Sequence, residues 1–161
     1  MVQALQPPDP ISWMAAFQEG PDGRSLEAQL ADHFERLWVY FSRVIPCVAA
    51  LRESGVPREK IFEGKKSAPI QGIRAIARWL EQANAQKLIE TQAPESVATA
   101  LLGAVQSRAF TAHVAQLTHS IQSNREYLRD MVTLFARALA PSSRSASSPH
   151  SKPTKKNNPL L

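Results

Sequence analysis

The 161-residue chain is predicted to be an all-α protein, a helical bundle of about five or six helices. Three observations carry that reading. Apolar residues recur at threes and fours through most of residues 25–140, the period of helices buried along one face. No stretch alternates apolar and polar residues for long enough to make a strand. Prolines at 46, 57, 69 and 94 and a glycine at 55 cut the body into helix-sized pieces.

Residues 1–24 read as an N-terminal extension in which ISWMAAFQ forms a short helix carrying Trp13 and Phe17. The next segment, SLEAQLADHFERLWVYFSRVI, opens with Ser25 as N-cap and Glu27 in the first turn, where an acid suits the helix dipole. Leu26, Leu30, Phe34, Leu37, Phe41 and Val44 form its stripe. Trp38, Val39 and Tyr40 widen that stripe until the helix can touch more than one partner. Pro46 lacks an amide hydrogen and clashes with the preceding turn, so the helix is expected to break or kink there. A shorter helix over about 47–53, closed by Gly55, should follow.

VPREKIFEGKKSAP reads as a loop with at most one helical turn. A third body helix is expected near 69–84, with Pro69 in its first turn and Ile70, Ile73, Ile76, Ala77 and Leu80 on one face. A fourth runs over about 94–117; Pro94 fits a first helical position, where its missing amide hydrogen would have had no partner. In the last, SNREYLRDMVTLFARALA, Ser123 and Glu126 have the spacing of a capping box, and Leu128, Met131, Val132, Phe135 and Leu139 form the stripe. Residues 25–140 therefore make the domain. Residues 141–161, rich in Ser, Pro and Lys with little to bury, are expected to be a disordered tail.

Composition narrows the function. The formal net charge is +5, but Arg144, Lys152, Lys155 and Lys156 place four of those charges in the tail, leaving the body nearly neutral. A large nucleic-acid-binding face is therefore not expected on it. The single cysteine, Cys47, excludes an intrachain disulfide and sits in the apolar run VIPCVAAL, which suits a buried, inert thiol and a cytoplasmic protein. No apolar run approaches the roughly 20 residues needed to cross a bilayer, and MVQALQPPDP has no basic region leading into an apolar one. His33, His113, His119 and Cys47 lack the spacing of a metal motif. No catalytic triad, carboxylate pair or phosphate loop stands out, so neither an enzyme nor a cofactor is expected.

Val97, Leu101, Val105 and Ala109 form one seam of the fourth body helix, and Ala100, Gly103 and Ala104 are small enough to admit another helix. Gly103 costs about 1 kcal/mol of helix propensity relative to alanine, which suggests close helix contact as its purpose. APESVATALLGAVQ followed by REYLRDMVTLFARALA resembles the paired last helices of the C-terminal domain of TetR (tetracycline-repressor-like) regulators. HFERLWVYFSRVIPCVAALRESG is similar to that family's long helix, its proline break and the short helix after it. Ala93 stands where the family often has a capping Asp.

The resemblance covers about residues 25–140 and implies a bacterial ligand-sensing and dimerisation domain. About 24 residues precede the long helix, too few for the family's three-helix DNA-binding head, so specific DNA binding by this chain alone is not expected. The expectation is a domain that lacks its helix-turn-helix or derives from a misplaced start. The alternative is a stand-alone helical protein that dimerises with a related regulator. A small apolar effector between helices could meet Trp38, Tyr40, Phe41 and Trp79, although each also suits plain core packing. A homodimer interface is expected at Val97, Leu101, Gly103, Ala104, Val105, Leu128, Met131, Val132 and Phe135.

Overall fold

The computed structural model describes residues 9, 11–61, 68–114 and 122–142. They form six helices: α1 (Ile11–Gln18), α2 (Leu26–Glu53), α3 (Arg58–Ile61), α4 (Ala68–Ala85), α5 (Pro94–Val114) and α6 (Asn124–Leu139). No strand occurs among the described residues. α5 is the central element, packed against α2, α4 and α6, while α1 is wedged between α2 and α4. Leu30, Phe34, Leu37, Ile76, Leu80, Leu101 and Val105 are buried at the centre.

Caps set the helix limits. Ser25 accepts a hydrogen bond on its hydroxyl from the Ala28 amide. At α6 the box is complete: the Glu126 amide donates to the Ser123 hydroxyl, and the Ser123 amide to the Glu126 carboxylate. α2 ends at Gly55, whose φ of 76° lets the Gly55 and Val56 amides turn back to the carbonyls of Arg52 and Leu51.

α4 ends the same way, with the amides of Lys87 and Leu88 donating to Asn84 and Ala83, but here the left-handed residue is Lys87, at φ 59°. A β-carbon is disfavoured there. Lys87→Gly is therefore expected to raise stability by about 1 kcal/mol or less, because a looser unfolded chain offsets part of the gain. Urea unfolding checks this, and a loss of stability would contradict it.

Three expectations change. α2 runs unbroken through Pro46. The proline removes one hydrogen-bond donor, and the apolar series Phe41, Val44, Ile45 and Val48 continues across it along one side of the helix. Beyond Phe41 no residue of α2 is fully buried, and Cys47 is half-buried instead of enclosed. Ile70 is 54% exposed, because the buried face of α4 begins only at Gly72. The expected end of α5 near residue 117 and the tail from residue 143 onward lie outside the described residues.

Candidate functional site

The last two described helices are tied together by polar contacts that fix their relative position. The Tyr127 hydroxyl donates to the carbonyl of Ala104 at 3.0 Å. The Arg108 guanidinium lies 5.1 Å over the Tyr127 ring and donates to the Asn124 carboxamide at 2.9 Å and the Gln122 carbonyl at 2.5 Å. Farther along, the Glu90 amide donates to the last carbonyl of α6, that of Leu139. α6 engages the flank of α5 that carries Ala104 and Arg108.

Among the described residues, none covers the face of α5 opposite its core contacts. Ala98, Leu101, Leu102, Val105 and Ala109 point inward, whereas Ser96, Ala100, Gly103, Ser107, Phe110 and Val114 are exposed and recur at threes and fours. A methyl group built on Gly103 would meet nothing within 4 Å. Phe110 and Val114 are 56% and 62% exposed. On α6, Tyr127, Met131, Leu134 and Ala138 continue the apolar surface, with Leu134 exposed.

Two grooves flank α2. One, of about 650 Å³, lies against α5 and is walled by Tyr40, Phe41, Val44, Ile45, Val48 and Phe110, with Arg52, Glu53 and His113 supplying charge or hydrogen bonds. Burial, aided by Asp9, holds the Tyr40 hydroxyl above the usual tyrosine pKa, so it stays a donor. The other, of about 690 Å³, runs between α2 and α6 over Phe34, Leu128 and Val132, with Trp38 at its side and Glu27, Glu35, Arg125 and Arg129 around it.

The four aromatic residues considered for ligand contact are thus dispersed. Tyr40 and Phe41 share the α2–α5 groove, Trp38 borders the α2–α6 groove, and Trp79 is sealed in the core. Trp79 meets Phe17 and His33 edge-on, at centroid distances of 6.3 and 5.0 Å. Of the residues considered for the interface, Leu101, Val105, Leu128 and Val132 are buried within the chain. Gly103 is exposed, and Val97, Ala104, Met131 and Phe135 are half-buried. Phe135 also leans on Phe34 at 5.7 Å.

A family-level comparison matches residues 59–141 to the AefR-like transcriptional repressor C-terminal domain, of the TetR type. The chain belongs to this family. The matched TetR C-terminal domain contains α4, α5 and α6, and so both helices of the bare surface, while α1 and α2 precede it. No match was found among curated proteins or among solved structures. No described helix of this domain is long and apolar enough to cross a membrane, and no group of three or more His, Cys, Asp or Glu among the described residues is placed to hold a metal ion. His119 lies outside the described residues.

Sequence reasoning passed over most of the outward stripe of this TetR-type domain. The signal was present as a second repeat, Ser96, Ala100, Gly103, Ser107, Phe110 and Val114, half a helical turn from the first.

Proposed function

We propose that this chain is a ligand-sensing and dimerisation domain of a TetR-type transcriptional regulator, pairing with a second copy through the outward stripe of α5 and the adjoining flank of α6. The observation that carries the reading is the bare stripe of small and apolar residues on the central helix. Small side chains at Ala100, Gly103 and Ser107 permit close approach of a symmetry-related α5, and Phe110, Val114 and Leu134 supply apolar area around them. A small, mostly apolar effector fits the α2–α5 groove, with its body against Tyr40 and Phe41. Because α5 carries both the groove wall and the stripe, an effector that spreads α2 from α5 would shift the dimer geometry.

Gly103→Arg is the test, since the open space around Gly103 lets the chain fold with the added side chain. Sedimentation at about 50 µM is expected to show a dimer for the wild type and a monomer for the variant, with the helical circular dichroism unchanged. A monomeric wild type, or a variant that stays dimeric, refutes the assignment.

A further inference from the structure

Between α1 and α4, away from the stripe and both grooves, Met14, Gln18, Gln71, Arg74, Ala75 and Arg78 line a notch of about 320 Å³. Met14 and Ala75 are buried and give it an apolar floor, while Arg74 and Arg78 are exposed. The two arginines stand four residues apart on one face of α4, where like charges repel. No ion pair among the described residues engages either one. Two unneutralised guanidinium groups over a concave, partly apolar surface, with carboxamides beside them, have the composition of an anion receptor.

We infer that this notch binds a phosphate monoester carried on a small organic body. The choice over a carboxylate follows from donor arithmetic. Two guanidinium forks present two positive charges, against which a carboxylate offers a single charge and about four lone-pair sites, whereas a phosphate monoester offers nearly two charges and three free oxygens with acceptor sites to spare for the carboxamides. The floor of Met14 and Ala75 accommodates the organic part, and a volume near the low end of ligand pockets limits its size. The packing of Trp13 of α1 onto Gly72 of α4 holds the two sides of the notch in place, so the site is present before ligand arrives.

The test titrates the ¹⁵N-labelled full chain with phenyl phosphate and with inorganic phosphate at constant ionic strength, with chloride as the reference anion. The Nε–H resonances of Arg74 and Arg78 are followed. Saturating shifts are expected with phenyl phosphate, with affinity at least about tenfold weaker in Arg74→Gln and in Arg78→Gln and unchanged in Arg137→Gln on α6. Because all three positions are exposed, the folded spectrum should persist in each variant. Shifts that grow linearly without saturation, that chloride reproduces, or that survive both notch variants would overturn the site.

Discussion

Gly72→Val is expected to destabilise the fold by about 1–3 kcal/mol, although removing glycine from a helix interior ordinarily helps by up to about 1 kcal/mol. The reason is Trp13. A β-carbon at position 72 would stand 2.6 Å from Cη2 and 3.1 Å from Cζ2 of that ring. The ring has little room to yield: it is 4% exposed, with Phe17 edge-on at 6.1 Å and Tyr40 tilted against it at 5.9 Å. Relief requires α1 to lift from α4, which would expose Trp13 and Phe17. Urea unfolding should therefore report lower stability, and tryptophan emission should shift to the red. Gly103→Ala is the control of opposite sign, because the space around Gly103 is open and only the gain in helix propensity applies to the single chain. Equal effects at the two glycines would show that α1 does not depend on close approach at Gly72.

Lowering the pH from 7 to 5 is expected to cost the wild type about 2 kcal/mol through His33, and His33→Leu should abolish that part of the loss. His33 is 7% exposed, stacked on Phe17 at 3.9 Å with 14° between the rings, and its Nδ1 has no hydrogen-bond partner among the described residues. Burial chiefly, and Arg36 next, push its pKa down to about 4 from 6.5, while Asp32 and Asp22 oppose the shift and Arg24 adds to it weakly.

The folded form therefore keeps His33 neutral while the unfolded chain takes up a proton below about pH 6.5. Between about pH 6.5 and 4 the unfolded state binds more protons, so stability falls as the pH falls, by about 3 kcal/mol across the whole window. Above about pH 7.5 the group contributes almost no slope. Asp22 and Glu126, whose pKa values are lowered by hydrogen bonds to Arg24 and Ser123, contribute their own loss only at more acid pH and do so in both proteins. The difference in urea-unfolding free energy between wild type and His33→Leu at the two pH values isolates His33. Identical pH slopes would show that its protonation is not suppressed by the fold.

Much of the architecture was legible because local chemistry dictates it. The Ser25 cap, the Ser123–Glu126 box, Pro94 in its first turn and the turn at Gly55 each depend on backbone groups within a few residues, and each is found where expected. The apolar stripes of α2 and α6 likewise gave the core faces, since a helix of known period must bury its greasy side. The site was less legible. Trp38, Tyr40, Phe41 and Trp79 look alike in a sequence, yet two share a groove, one borders another and one is sealed inside.

The two interior glycines of α4 and α5 show where the division falls. The sequence by itself determined that Gly103 weakens its helix and needs a compensating reason, along with the caps of α2 and α6, the start of α5 and the inward faces of α2 and α6. Only the tertiary structure decided that Gly72 is the position pressed by another ring, that Gly103 faces open space within the chain, that α2 continues through Pro46, and that α1 closes the gap between α2 and α4. The physical reason is range. Caps and periodicity act over one or two turns, whereas the crowding of Gly72 by Trp13 and the contact of His33 with Trp79 join residues more than forty positions apart in the chain, brought together only when the bundle closes.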